Sequence, residues 1–174
     1  MQKTIDKSNL RKLALLKRAS FPHDLSLKIL HKILNSFEFK NANHIALYMP
    51  IKNEIDISGL LNISGKSFYL PRCNNFELEF VKFNNIESLK CGKFNILEPI
   101  GEKINPEILD IIYIPALMAN TLCYRLGYGK GYYDKFFAKN NLNAKKIIVV
   151  PKELICDDFI NEEHDFKCDG IISA

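Results

Sequence analysis

The chain has 174 residues, 47% of them hydrophobic and 25% charged, which predicts a single domain covering residues 1–174. No segment approaches the roughly 18 apolar residues of a membrane span, and the charged N-terminus lacks the apolar stretch of a secretory signal. We therefore expect a cytoplasmic protein with no membrane partner. Its formal charge of +4 suits an anionic small-molecule ligand and falls short of the clustered basicity of a dedicated nucleic-acid binder.

Two amphipathic helices are predicted before the first strand. In the first, apolar residues such as Ile5, Leu10 and Leu13 recur at helical spacing among cations. The second spans positions 27–37 and ends near positions 40–43. The pattern predicts a strongly basic outer face for the first helix, which is solvated by default and alternatively closes over a phosphate loop. The cations concerned are Lys3, Lys7, Arg11, Lys12, Lys17 and Arg18.

Short apolar runs that end in proline predict buried strands. The clearest are HIALYM (44–49), DIIYIP (110–115) and KIIVV (146–150), and a helix from Gly131 or Tyr132 to about Asn140 separates the last two. Further elements are predicted as strands at 67–71, 77–83 and the terminal GIIS, and as a short helix near 57–61. The strand–helix–strand order predicts a three-layer α/β fold with a mostly parallel central sheet and helices on both faces.

The segment RLGYGKGYYDKFF (125–137) is the most distinctive part of the sequence. Because its three glycines alternate with other residues, backbone N–H groups can approach an anion without interference from Cβ atoms. The helix that follows adds its positive N-terminal end, while Arg125 and Lys130 supply a bidentate fork and a mobile charge. The spacing matches neither the P-loop nor the dinucleotide fingerprint. From the glycines alone, a plain strand-to-helix turn is about equally favoured.

Carboxylates near this segment are candidates for a metal site. Asp134 falls in the first turn of the predicted helix, where the helix dipole alone favours an acid, and where it could also hold magnesium against phosphates. HDFKCD (164–169) offers a second carboxylate. Glu54 follows a predicted strand, a position where sites gather, although most glutamates are simply solvated. The tyrosines of the glycine segment either stack on a planar ligand or pack the helix against the sheet.

Over its whole length the chain resembles the 5-formyltetrahydrofolate cyclo-ligase family, also called methenyltetrahydrofolate synthetases. The most specific match is RLGYGKGYYD (125–134), which fits the family signature RLGxGxGYYD. Further family motifs occur in the expected order, namely KSNLR (7–11), YMPIKNEID (48–56), the ELEF strand (77–80), the EP pair (98–99) and HDFKCD (164–169). The resemblance implies ATP- and magnesium-dependent cyclisation of 5-formyltetrahydrofolate to 5,10-methenyltetrahydrofolate, with release of ADP and phosphate, in folate one-carbon metabolism.

The resemblance also implies roles for individual residues. In the family's scheme the formyl oxygen attacks the terminal phosphorus of ATP, and nitrogen 10 then closes the ring as phosphate leaves. Phosphoryl transfer needs positioning and charge stabilisation, so Arg125 and Lys130 are the expected catalytic residues. The positions that match ATP contacts are Lys7, Arg11, Arg125, Leu126, Gly127, Tyr128, Gly129, Lys130, Gly131, Tyr132 and Tyr133; those that match folate contacts are Met49, Glu54 and Tyr132; those that match magnesium ligands are Asp134 and Asp165.

One loop departs from the family pattern. Where the family has roughly PGxxFDxxGxRLG, this chain has Ala119 for the aromatic residue, Asn120 for the acid and Cys123 for a glycine. Asn120 can form an Asx turn and tolerates a left-handed backbone, whereas a cysteine adopts positive φ at a higher cost than glycine. We therefore expect the order of this loop, or the turnover of the enzyme, to differ from that of the family.

Three hypotheses follow from the sequence. The leading one is a monomeric cyclo-ligase whose partners are ATP, magnesium and 5-formyltetrahydrofolate, with or without a polyglutamate tail, and no nucleic acid. A variant of it is a folate or nucleotide binder that has lost turnover through the altered loop. The alternative class is a nucleic-acid-binding module, in which the basic N-terminal helix and the tyrosine-rich glycine segment form a stacking and phosphate surface.

Overall fold

The computed structural model of the protein describes residues 6–22, 24–92, 95–159 and 161–174, so Lys3 and Ile5 lie outside the described residues. The helices within these ranges are α1 (Lys7–Arg18), α2 (Leu25–Asn35), α3 (Phe37–Asn41) and α4 (Tyr132–Lys139). Helices α2 and α3 replace the single second helix predicted from the spacing. Ser36 separates them, because its extended backbone ends α2 and its hydroxyl accepts a hydrogen bond from the Phe39 N–H (3.2 Å) at the start of α3.

The strands of the described residues are β1 (His44–Ala46), β2 (Ser67–Asn74), β3 (Glu77–Lys82), β4 (Leu89–Cys91), β5 (Leu97–Pro99), β6 (Ile111–Pro115), β7 (Met118–Ala119), β8 (Arg125–Leu126), β9 (Lys145–Val149) and β10 (Gly170–Ile172). Six of them form the central sheet in the order β10-β9-β6-β1-β2-β3. Every neighbouring pair in this sheet is parallel except β2 and β3. The predicted mostly parallel sheet is therefore confirmed, and α4 connects β6 to β9 as the predicted βαβ unit.

Helices cover both faces of the sheet. Successive residues of β6 alternate between two cores: Ile112 and Ile114 pack with residues of α1 and α4, while Ile111 and Tyr113 pack with residues of α2 and α3. Side chains of a strand alternate between the two faces of a sheet, so these two cores are its two sides. The predicted three-layer arrangement is confirmed. Within the described ranges, no helix is both long enough and apolar enough to cross a membrane.

Several boundaries differ from the sequence-based expectation. The predicted strand 44–49 is regular only over β1, because after the Leu47 N–H bonds to the Tyr69 carbonyl (2.9 Å) the chain leaves the sheet. The predicted helix near 57–61 is a 3-10 helix, Ser58–Asn62. The antiparallel ribbons β4–β5 and β7–β8 were not predicted, since strands of two or three residues carry too little alternation to be read from sequence.

The β7–β8 ribbon organises the loop that departs from the family pattern. Asn120 is 3% exposed, and its Oδ1 accepts the Tyr124 N–H at 2.9 Å across the turn, a longer span than the predicted Asx turn. Its backbone carbonyl accepts the Cys123 N–H at 3.0 Å. Cys123 itself has φ 66°, the left-handed conformation that favours glycine. The cysteine thus keeps the backbone shape that the family's glycine would allow, at an energetic cost.

Two substitutions at Cys123 should reveal this backbone strain. Both Cys123→Gly and Cys123→Ala remove the thiol, but only glycine adopts positive φ without a Cβ clash. We expect Cys123→Gly to be more stable than Cys123→Ala by about 1 kcal/mol in urea unfolding. At an ordinary helical or extended position the order would reverse, because alanine restricts the unfolded chain more than glycine does. A more stable alanine variant would therefore show that Cys123 is not left-handed.

Candidate active site

Helix α1 directs three cations inward. Lys7, Arg11 and Arg18 lie within about 40° of one another around the helix, at 100° per residue, on the same side as the buried Leu10 and Ala14. Arg18 is only 4% exposed. The prediction that these three residues lie on the solvated outer face is therefore wrong. They lie on the side of α1 whose apolar residues pack against the sheet. The exposed Lys12 and Lys17 retain the solvated position.

The glycine loop, residues 127–131, lies between α1 and α4. A Cβ on Gly127 would stand 2.5 Å from Nη1 of Arg125, so any larger residue would displace that guanidinium. Gly129 and Gly131 have φ of 87° and 66°, which disfavour any larger residue. The Nε of Arg11 donates to the Gly127 carbonyl at 2.9 Å. The alternating glycines thus serve a defined, cation-bordered backbone conformation rather than a plain turn.

The two predicted catalytic cations are held very differently. The Arg125 side chain is 8% exposed, its Nη2 pairs with Asp134 Oδ2 at 3.0 Å, and its guanidinium lies over the Tyr133 ring, 5.1 Å from the centroid. Lys130 is exposed on the loop and forms no ion pair with any described residue. Arg125 is therefore a rigid charge beneath the loop, and Lys130 is a mobile charge above it.

Helix α4 starts at the loop with its positive end open. Its N-cap is Gly131, which has no side chain to bond the N–H groups of the first turn. Those N–H groups and the helix dipole favour an anion at this point. Asp134 lies in the first turn, as predicted. Leu126, a predicted ATP contact, is 2% exposed with its side chain in the core, so only its backbone can meet a ligand.

The second predicted magnesium ligand pairs with α1. Lys7 Nζ lies 2.7 Å from Asp165 Oδ2 and 3.0 Å from Glu162 Oε1. Burial lowers the pKa of Lys7, but these two carboxylates outweigh it and the net pKa is raised. Burial likewise raises the pKa of Asp165, but the Glu162 N–H, Lys7 and His164 outweigh it and the net pKa is lowered. Asp165 is therefore an ionised carboxylate at neutral pH.

Asp134 and Asp165 stand on neighbouring segments, because the Phe166 N–H approaches Asp134 Oδ1 at 3.5 Å. Each carboxylate uses Oδ2 for its cation, leaving Oδ1 only longer contacts of 3.5 Å and 3.9 Å. No cluster of three or more metal-binding side chains occurs among the described residues. One or two carboxylate oxygens are what magnesium uses when phosphates and water supply the remaining ligands, so the residues present fit a nucleotide-bound magnesium ion.

Glu54 lies where the chain has left β1. Its Oε2 accepts the Ile51 N–H at 3.0 Å, and the carboxylate interacts with the Tyr128 hydroxyl of the glycine loop. Burial raises the pKa of Glu54, opposed by the Ile51 N–H, the charge of Arg18 and the Tyr128 hydroxyl. The solvated interpretation of Glu54 is therefore wrong. Met49, half-buried on the same segment, packs against the α2–α3 core.

The tyrosines of the loop and α4 line the same region. Burial, followed by the nearby Cys73 and Glu98, raises the pKa of Tyr132. The Tyr133 ring lies under Arg125, and its buried hydroxyl has no hydrogen-bond partner within the described part of the chain. Burial is also the largest cause that raises the pKa of Tyr133. Packing and ligand contact do not exclude each other here, because the rings pack while the Tyr128 and Tyr132 hydroxyls lie near polar groups.

Four further residues of this region carry no role predicted from the sequence: Arg18, Cys73, Glu98 and Glu162. Arg18 could have been found from its helical spacing, which places it on the stripe of Lys7 and Arg11. Cys73 and Glu98 come from β2 and β5, where the Cys73 N–H donates to Glu98 Oε1 at 3.1 Å. No local pattern announces that pairing, because it joins strands 25 residues apart.

Comparison with known proteins points to one family. The model of the 5-formyltetrahydrofolate cyclo-ligase family matches residues 4–174. A 5-formyltetrahydrofolate cyclo-ligase of Mycoplasma genitalium is 32% identical over 97% of this chain and 98% of the relative. A probable 5-formyltetrahydrofolate cyclo-ligase of Schizosaccharomyces pombe is 32% identical over 85% and 83%.

Solved structures give the same result. The NMR structure of Aquifex aeolicus 5,10-methenyltetrahydrofolate synthetase superposes with a TM-score of 0.85 at 32% identity, covering 96% of this chain and 89% of that one. A 5,10-methenyltetrahydrofolate synthetase from Mycoplasma pneumoniae superposes with a TM-score of 0.78 at 28% identity, covering 97% and 98%. The family identified from the sequence is thus confirmed, and the chain belongs to the 5-formyltetrahydrofolate cyclo-ligase family.

Proposed function

We propose that this protein converts 5-formyltetrahydrofolate and ATP to 5,10-methenyltetrahydrofolate, ADP and phosphate, with magnesium. The observation that carries the proposal is the glycine loop at the open end of α4, bordered by Arg11 and Arg125. Such a loop suits the phosphates of a nucleotide, and family membership supplies the reaction. We infer that the protein acts as a monomer.

The ATP half of the site uses the loop and α1. The N–H groups at the start of α4 hold phosphate oxygens, Lys130 folds over them, Arg11 keeps the loop in its binding shape, and Arg125 stabilises the phosphate charge from beneath the loop. Lys7 stands at the far end of the cation stripe, next to Asp165. When bound, magnesium neutralises phosphate charge, and Asp134 and Asp165 are the residues that would hold it.

The folate half uses the segment after β1. The Glu54 carboxylate can accept hydrogen bonds from the N–H groups of the pterin ring, and Met49 and Tyr132 flank the ring. Because the Tyr128 hydroxyl reaches Glu54, the two halves adjoin. The formyl oxygen can therefore be placed against the terminal phosphate, which is the main requirement of the reaction.

The chemistry needs no protein nucleophile. The formyl oxygen bonds to the terminal phosphorus as the bond to ADP breaks, which turns a poor leaving group into phosphate. Nitrogen 10 then attacks the formyl carbon, loses its proton, and expels phosphate to leave the methenyl bridge. Cations at the transferring phosphoryl group stabilise its charge, and each charge-assisted hydrogen bond contributes about 1.5 to 3 kcal/mol.

The direct test is an assay of the purified protein. Incubation with 5-formyltetrahydrofolate, magnesium and ATP should produce the methenyl absorbance with one ADP per product. Omission of ATP or addition of a chelator should abolish the signal. Binding of both ligands without any product would instead support the binder that has lost turnover, and would contradict the proposed activity.

Substitution of Lys130 should remove catalysis without unfolding the protein. We expect Lys130→Ala to lower kcat/KM about a thousandfold, because a cation on a transferring phosphoryl group contributes about that much or more. The matched control is Lys139→Ala at the other end of α4, where the lysine pairs with the exposed Glu77. Steady-state kinetics and thermal unfolding of both variants give the comparison. Equal activities in the two variants would contradict the role of Lys130.

The magnesium ligands can be tested through the metal requirement. Asp134→Asn and Asp165→Asn should each raise the half-saturating magnesium concentration about tenfold or more at fixed ATP, since each removes a carboxylate charge from the ion. Asp24→Asn is the control, because Asp24 also pairs with a lysine, Lys28 at 2.9 Å, but does so on the exposed side of α2. An unchanged magnesium requirement in both site variants would show that phosphates and water alone hold the ion.

A further inference from the structure

Arg18 is a buried cation that the proposed reaction does not use. It ends α1, is 4% exposed, and donates from Nη1 to the Tyr128 hydroxyl at 3.1 Å and from Nη2 to the Ala116 carbonyl. Its Nε is buried with no hydrogen-bond partner in the described residues. An arginine kept only for packing would be costly here, because burial of a charge with an unpaired N–H is less favourable than burial of an apolar side chain.

The contacts of Arg18 lead to Glu54. The Tyr128 hydroxyl accepts from Arg18 at 3.1 Å and lies close enough to the Glu54 carboxylate to interact with it. A hydroxyl has one proton to donate, so acceptance from Arg18 leaves that proton for Glu54. The resulting chain runs from guanidinium to hydroxyl to carboxylate in one direction. It links α1, the glycine loop and the segment after β1.

We propose that Arg18 is a positioning residue for the folate half of the site, which holds the Glu54 carboxylate in place, through Tyr128, as an acceptor for the pterin ring. This inference rests on the proposed function. It assigns Arg18 no contact with substrate. Under this inference the glycine loop has two roles. It binds phosphate, and through Tyr128 it also supports the carboxylate that accepts from the pterin ring.

A cation is needed here because Glu54 is half-buried, which makes its charged form less favourable. Burial raises its pKa, and the charge of Arg18 and the Tyr128 hydroxyl both act against that rise. Tyr48 and Tyr133 also face Glu54, and burial raises the pKa of each above its usual range. Asp56 adds its negative charge at Tyr48. These tyrosines stay neutral near neutral pH, so Arg18 is the positive charge facing Glu54 among the described groups that act on its pKa.

Removal of Arg18 removes an influence that lowers the pKa of Glu54, so that pKa rises. At a given pH a larger fraction of Glu54 is then protonated and unable to accept two N–H groups. Folate affinity should therefore fall as pH falls, and in a variant without Arg18 this loss should begin at higher pH.

The experiment measures binding of 5-formyltetrahydrofolate without ATP, by titration calorimetry from pH 5.5 to 8.5. We expect Arg18→Met to weaken binding about tenfold at pH 7, as is usual for the loss of one charge-assisted contact. The ratio of the mutant to the wild-type dissociation constant should grow toward low pH. The ratio cancels the titration of the ligand itself. Arg18→Lys keeps a positive charge, so its pH dependence of binding should lie between those of the wild type and Arg18→Met. Tyr128→Phe should weaken binding by a smaller factor than Arg18→Met does.

The decisive control is Glu54→Gln, which cannot titrate. In that background Arg18→Met should add little further loss at any pH, as expected for two groups that act together. The inference is overturned if Arg18→Met weakens binding equally with and without Glu54, or equally at all pH values. If Arg18→Met does not fold, the same comparison is made with Arg18→Lys and Tyr128→Phe. Wild-type protein that does not bind the folate would instead remove the proposed function, and the inference with it.

Discussion

The docking of α1 against the sheet is the constraint on which the site depends. Leu10 and Ala14 are buried to 1% and 0% exposure, and their insertion fixes the rotation of the helix. At that rotation Lys7, Arg11 and Arg18 reach the C-terminal segment, the glycine loop and Tyr128 respectively. A slip of one residue would turn the helix by about 100° and remove all three contacts together. Packing in the core and electrostatics at the site are therefore one structural feature.

The layers and strand order of the fold could be predicted because they depend on local patterns. Apolar runs ending in proline marked β6 and β9, and a helical pattern between them implied a parallel connection. The glycine loop could be singled out because alternating glycines with two cations are rare. The boundaries failed where tertiary contacts override local preference, as at Ser36, where one predicted helix is two. The helical spacing shows that Lys7, Arg11 and Arg18 share one face of α1. It does not show whether that face points toward the sheet or toward solvent.

The pairing of charges within the site could not be predicted from local sequence patterns. Arg125 meets Asp134 nine residues away across the glycine loop, and Lys7 meets Asp165 across 158 residues. Resemblance to a family identified these positions but not their mutual contacts. At Cys123 the sequence departs from the family pattern, but the backbone still has a left-handed residue at that position. Asn120 explains why, because its carboxamide and carbonyl hold the turn from inside the core.

The charge pairs suggest how the proposed site can stay folded before its ligands arrive. Without nucleotide, Asp134 and Asp165 neutralise Arg125 and Lys7, so none of these four charges is left alone in a partly buried region. Under the proposed function, phosphates offer the cations new partners while magnesium offers the carboxylates theirs. Each charge then exchanges one partner for another, which avoids the cost of leaving a partly buried charge unpaired at any stage. Metal and nucleotide should accordingly bind as a unit, because either alone would leave half of the exchange incomplete.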